Sequence, residues 1–122
     1  MKDLNKLNII RGVISREVEI SANAVALAKF DSEEEKFALE SASMIRRIRI
    51  FINALIEENN DNPLGALLDF LWEEHRKMVR IYNGGECDAA IKIGVFTDII
   101  AIKRAIRLTN DVRYGLFGGD SK

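Results

Sequence analysis

Apolar residues recur every three or four positions along most of the chain, which is the spacing of one face of an α-helix. Between residues 4 and 30 the stripe consists of Leu7, Ile10, Ile14, Val18, Val25 and Ala28. After residue 32 it consists of Phe37, Met44, Ile45, Ile48, Phe51, Ile52, Leu55 and Ile56. A third stripe contains Leu64, Leu67, Leu68, Leu71, Met78, Val79 and Tyr82, and a fourth runs from about residue 88 to 110. The pattern predicts four long helices.

Polar residues separate the four stripes and supply the expected helix ends. Ser32 and Glu35 have the spacing of a capping box at the start of the second helix. The polar residues 59–62 predict a loop, in which Asn62 caps the third helix and Pro63 occupies its first position. Residues 83–85, Asn-Gly-Gly, predict a left-handed residue at the end of that helix.

The short connections favour antiparallel neighbours, so the expected fold is all-α, an antiparallel up-down four-helix bundle. Pro63 is the only proline among the 122 residues, and long helices therefore run without proline breaks. This length suits one domain covering residues 1–122. We expect a mobile glycine-rich tail from about residue 115.

Two of the predicted helices carry more apolar surface than one core stripe requires. The fourth helix has a first strip formed by Ile91, Val95, Ile99, Ile102 and Ile106 and a second formed by Ala89, Ile93, Phe96 and Ile100. The first helix adds a second strip formed by Ile9, Val13, Ile20 and Leu27. These second strips indicate a wide core face, a homodimer interface or a surface for another protein. The candidate partner contacts are Val13, Ile20, Ile93, Phe96 and Ile100.

Charge and composition narrow the classes of partner. The formal net charge is −1, with basic residues scattered among acidic ones, which disfavours a broad electrostatic interaction with nucleic acid or anionic lipid. No apolar run approaches the roughly 20 residues that cross a bilayer. The lone Cys87 has no second cysteine for an intramolecular disulfide, and no signal-peptide pattern precedes the first helix. We therefore expect a cytoplasmic protein with a protein partner.

The sequence predicts no catalytic, cofactor or metal site. His75, the only histidine, falls on the apolar stripe of the third helix and is expected to be buried. A di-iron bundle would need a glutamate three residues earlier, where Trp72 stands. Glutamates 33–35 begin a helix and complement its dipole. An enzyme is therefore disfavoured.

A stretch from Ala66 to Ile106 resembles the FliS family of flagellin export chaperones, which are small four-helix bundles. The similarity is carried by residues 67–71 (Leu-Leu-Asp-Phe-Leu), residues 75–78 (His-Arg-Lys-Met), the polar turn at residues 83–86 and Ala89 at the next helix start. The tyrosine-rich N-terminal segment and the Ala-Ser-Pro helix start of that family are missing here, and Leu68, Leu71 and His75 replace helix 3 tyrosines.

The resemblance implies a flagellar export chaperone or a FliS-like co-chaperone that binds the chaperone itself. In this family, flagellin's C-terminal region binds as separate helices in apolar grooves on the bundle. The second apolar strips of helices 1 and 4 would suit this mode of binding. The alternative is a self-associating structural bundle, a homodimer without a chaperone role.

Overall fold

The computed structural model describes residues 3–85 and 88–115, except for the side chains of Phe37 and Ala90. The described chain forms four helices, α1 (Asp3–Leu27), α2 (Glu33–Glu57), α3 (Pro63–Asn83) and α4 (Ala89–Arg113). The prediction of an all-α fold with four helices is confirmed. The predicted tail, apart from Gly115, lies outside the described residues.

Three helices begin at the capping residues that their side chains favour. The Ser32 hydroxyl accepts a hydrogen bond from the Glu35 amide at 3.2 Å, and the Asp88 carboxylate accepts one from the Ile91 amide at 2.9 Å. Asn62 caps α3 in the same way, directly before Pro63. In a capping box the Glu35 carboxylate would accept a hydrogen bond from the Ser32 amide, but here it accepts one from the Asp31 amide. Each cap satisfies an amide that has no partner within its helix.

Left-handed residues follow the ends of α2 and α4, at Asn59 and Gly115, but not the end of α3, where one was predicted. Asn59, at φ 55°, follows α2, and the Asn60 amide donates to the Leu55 carbonyl at 3.3 Å, as in a Schellman motif. The left-handed glycine predicted after α3 is wrong, because Gly84 is extended at φ −71° and ψ 133°. Its amide already donates to the carbonyls of Arg80 and Ile81, so α3 ends without a left-handed turn.

The core follows a heptad-like seam, with alternating spacings of three and four residues. Its α1 and α3 members include Leu7, Ile10, Ile14, Val18, Leu64, Leu67 and Leu71. On α4 the buried positions are Val95, Asp98, Ile102, Ala105, Ile106, Thr109 and Val112. The predicted α4 core stripe is therefore wrong at Ile91, which is 50 % exposed, and at Ile99, which is half-buried. The observed seam includes the polar residues Asp98 and Thr109, which do not belong to a pattern of apolar residues.

Specific side-chain contacts fix how the helices face one another. The rings of Phe51 and Phe70 stack with centroids 4.1 Å apart, and one helical turn away Arg47 pairs with Glu74. From the first contact to the second, the residue number falls along α2, from 51 to 47, and rises along α3, from 70 to 74. The two helices are therefore antiparallel where they touch. At one end of the bundle the Lys6 ammonium donates to the Arg113 carbonyl at 2.8 Å, which joins the start of α1 to the end of α4.

Candidate partner-binding groove

An apolar groove opens between α1 and α4, with α2 as its floor. It encloses about 450 Å³. We call this feature the α1/α4 groove; its apolar lining includes Val13, Ile20 and Ala24 of α1, Ile45 and Ile48 of α2, and Ile100, Ala101 and Leu108 of α4. The span from Val13 to Ala24 corresponds to about 16 Å along α1, or about three helical turns.

The groove forms because small side chains occupy positions where two packed helices would place larger ones. Ser21 and Ala24 of α1, Ala101 and Ala105 of α4 and Ser41 of α2 all line the groove. Small residues leave space for side chains from another helix to enter, as ridges enter grooves between packed helices. The groove is therefore an open space between α1 and α4 that is lined largely by apolar and small side chains.

Apolar side chains in the second half of α1 differ widely in exposure. Val18 is 6 % exposed, Ile20 is 55 % exposed and Leu27, the last residue of α1, is 87 % exposed. Part of this difference reflects helix faces, since Ile20 is on the groove side of Val18. Large apolar side chains nevertheless face solvent over the second half of α1, where burying them would be favourable.

Two opposite charges face each other across the groove. The Arg104 guanidinium on α4 lies 3.8 Å from the Glu17 carboxylate on α1, and both residues line the groove. Most of the Arg104 side chain is exposed to solvent, so this pair contributes little to stability. The Arg104 side chain can donate hydrogen bonds and the Glu17 carboxylate can accept them, and Ser21, Ser41 and Thr97 add further polar groups to the lining.

The five predicted contact residues divide into two groups. Val13, Ile20 and Ile100 all line the α1/α4 groove, so the structure brings these three together. Ile93 and Phe96 are outside its lining and are 42 % and 51 % exposed. The second strip of α4 is therefore a solvent-facing surface, and only its Ile100 end lines the groove.

Phe96 belongs to a separate aromatic patch between α3 and α4. Its ring centroid lies 6.3 Å from that of Tyr82, and the Lys92 ammonium lies 5.4 Å from the Tyr82 ring centroid. The placement of the ammonium allows a cation–π contact, which is modest at an exposed site. In this patch Phe96 and Lys92 of α4 contact Tyr82 of α3. The patch lies outside the groove lining, which includes Ile100 of α4.

A buried acidic cluster lies on the other side of α4, outside the groove. Glu74 of α3 is 4 % exposed and Asp98 of α4 is 7 % exposed, and both lie on the core seam. The Glu74 carboxylate accepts from Arg47 at 2.6 Å and from Lys77 at 3.0 Å. Glu40 of α2 is half-buried beside Asp98. Sequence reasoning missed this cluster, although positions 71, 74 and 78 and positions 95, 98 and 102 already have core spacing.

Burial and the neighbouring carboxyl group of Glu40 set the protonation of Asp98. Loss of hydration, then the hydrogen bond to Glu40 and the Glu40 charge, raise the pKa of Asp98 to about 8, against a partial opposing effect of Arg47. The Oδ1 atom of Asp98 is buried without a hydrogen-bond partner. Burial and the adjacent carboxyl group therefore favour the protonated form of Asp98.

His75 is not the buried histidine that the sequence predicted. It is half-buried, and its ring meets the edge of Trp72 at a centroid distance of 5.4 Å. The α3 core seam includes Glu74. The next residue, His75, is rotated about 100° around the helix axis and therefore lies off the seam. The polar group that α3 places in the core is therefore a carboxylate paired with two cations.

Among residues 3–85 and 88–115, no three His, Cys, Asp or Glu side chains are arranged to hold a metal ion. Over the same residues, none of the helices combines the length and apolar character that crossing a bilayer requires. Cys87 lies outside the described residues.

Comparison of the sequence with protein-family models and with curated proteins gave no match, and comparison with solved structures gave none either.

Proposed function

We propose that this chain is a protein-binding helical bundle and that its α1/α4 groove holds one amphipathic helix of a partner protein. The observation that carries the proposal is the groove itself, an apolar trough about three helical turns long between two helices of the bundle. Helix-in-groove recognition uses apolar residues spaced at three and four positions along the incoming helix. The groove offers apolar walls on both sides for such residues.

The groove favours a helix over a small-molecule ligand. Pockets for small molecules are commonly concave and enclose most of the ligand surface, with a few converging polar groups. Here the walls are aliphatic over three helices, and the charged side chains that line the groove include Glu17 and Arg104, which face each other. A helix with apolar residues on one face and polar residues at its edges matches this arrangement.

The resemblance of residues 66–106 to the FliS family supports a particular class of partner. We propose that the chain acts as a flagellar export chaperone or as a co-chaperone associated with a FliS-type chaperone. The missing tyrosines favour the co-chaperone role. On this proposal the incoming helix comes from the chaperone or from the C-terminal region of flagellin, and no catalysis is involved.

The alternative is a homodimer in which two copies cover each other's exposed apolar residues. Ile20, Ile93, Phe96 and Ile100 are each more than 40 % exposed, so a second copy would gain by burying them. A symmetric dimer would use the same surface on both copies. The two functions differ in stoichiometry, which makes them separable by one experiment.

Size-exclusion chromatography with light scattering tests the proposal. We expect the protein to run as a monomer alone and to form a 1:1 complex with either the FliS-type chaperone or the flagellin C-terminal region from the same organism. Binding to the chaperone identifies a co-chaperone, and binding to flagellin alone identifies a divergent chaperone. A stable dimer that associates with neither protein at micromolar concentration would contradict the proposal and support self-association.

A further inference from the structure

Three carboxylates from three helices approach one another inside the bundle, although like charges in a core repel. Glu40 comes from α2, Glu74 from α3 and Asp98 from α4. The charge of Glu74 is compensated by Arg47 and Lys77, which contact its two oxygens. Asp98 lies beside the Glu40 carboxyl group, which raises the pKa of Asp98 through hydrogen bonding and through its charge. Asp98 is therefore the member of the cluster for which burial and a neighbouring carboxyl group favour the protonated form.

The Glu40 side chain lies directly against α4. Gly94 is one turn before Asp98 on that helix, and a Cβ atom at Gly94 would lie 3.5 Å from Glu40 Oε1, in van der Waals contact. Asp98 is only 7 % exposed at the same contact between helices, and its Oδ1 atom has no hydrogen-bond partner. A full negative charge on Asp98 would therefore be both desolvated and poorly compensated.

We propose that Glu40 and Asp98 form a proton-dependent latch between α2 and α4. One proton shared by the two carboxyl groups holds the helices together, and its loss at alkaline pH weakens their contact. The groups that act on Asp98 are Glu40 and Arg47 from α2 and Glu74 from α3, with Lys77 bound to Glu74. Arg47 is already committed to Glu74 at 2.6 Å, so it cannot fully compensate a second carboxylate.

The direction of the pH dependence follows from linkage. Asp98 binds its proton more tightly in the folded state, with its pKa raised from 3.8 to about 8. The folded state therefore holds more protons than the unfolded state between these values, and stability falls as pH rises through this range. Well above the folded-state pKa the loss is complete. Paired surface carboxylates give the opposite dependence, because their stabilisation is lost at low pH.

The experiment compares thermal unfolding of the wild type, Asp98→Asn and Asp69→Asn between pH 5.5 and 9. The side-chain amide introduced by Asp98→Asn is neutral at every pH, so this variant should lose most of the wild-type fall in Tm and unfold several degrees above the wild type at pH 9. Asp69→Asn changes an exposed residue of α3 outside the cluster and should keep the wild-type pH dependence. Parallel wild-type and Asp98→Asn curves would overturn the proposal.

A carboxyl-carbon NMR titration of the wild type keeps the test independent of variant folding. We expect the Asp98 carboxyl resonance to titrate far above the usual range of aspartate. Replacement of Glu40 by glutamine should shift the Asp98 midpoint downward, because the neighbouring charge is removed. An Asp98 midpoint near 4 in the folded wild type would show that no shared proton exists.

Discussion

Replacement of Ile102 by alanine is expected to lower the free energy of unfolding by about 3 kcal/mol. Ile102 is fully buried on the α4 seam, within the core cluster shared by the four helices. Its removal takes away buried methyl and methylene groups and leaves a cavity that close-packed helices fill only in part. Chemical denaturation measured by circular dichroism gives the value directly, and we expect the denaturant slope to stay unchanged.

Ile100→Ala is the matched control, two residues away on the same helix. Ile100 is 42 % exposed, so the same truncation should cost less than about 1 kcal/mol. Equal losses for the two variants would show that α4 is rotated relative to the arrangement described above. A large loss for Ile100→Ala alone would place Ile100 in the core and remove it from the groove surface.

Ile100→Glu is expected to weaken partner binding at least thirtyfold, which corresponds to about 2 kcal/mol. Ile100 lies on the α4 wall of the groove, where an incoming apolar helix would cover it. A carboxylate at this position would be desolvated on binding without a matched cation on the apolar face of the partner. Isothermal titration calorimetry measures the affinity, and circular dichroism checks that helicity is retained.

The fold should tolerate this change. Position 100 is four residues before Arg104, and a glutamate in that order pairs favourably with arginine on a helix surface. Ile50→Glu is the matched control, because Ile50 is 65 % exposed on α2 and lies outside the groove lining. Full affinity in Ile100→Glu, or equal loss in both variants, would exclude the α4 wall as the contact.

The four helices were predictable because their signals are local. Each stripe of apolar residues spans several turns, and Ser32, Asn62 and Asp88 are strong capping residues directly before helices. The end of α3 was not predictable in the same way. Gly84 allows both left-handed and extended conformations, and the choice depends on where the following chain goes.

The core seam of α4 was predicted only in part, for a physical reason. Apolar residues surround much of this helix, so several stripes satisfy the helical spacing. The packing selects the one that contains Asp98 and Thr109, because neighbouring groups bond to these polar side chains. The Thr109 hydroxyl donates to the Ala105 carbonyl at 2.8 Å, and the Glu40 carboxyl group lies beside Asp98. The Glu40 contact comes from tertiary structure and cannot be read from spacing.

The candidate surface followed from sequence more closely than the polar cluster did. Excess apolar strips on helices 1 and 4 indicated Val13, Ile20 and Ile100, and these three residues line one groove. Sequence could not separate them from Ile93 and Phe96, because adjacent positions on a helix surface differ by small rotations. The small residues Ser21, Ala24 and Ala101 determine where the space opens, and they carry little signal in an apolar pattern.

Isoleucine methyl NMR during titration with the binding partner tests the central claim most directly, since isoleucines lie both inside and outside the groove. We predict that the δ1-methyl resonances of Ile20 and Ile100 shift on binding, while those of Ile50 and Ile91, exposed elsewhere, keep their positions. Shifts confined to Ile50 and Ile91, with Ile20 and Ile100 unchanged in a saturated complex, would contradict helix binding in the α1/α4 groove.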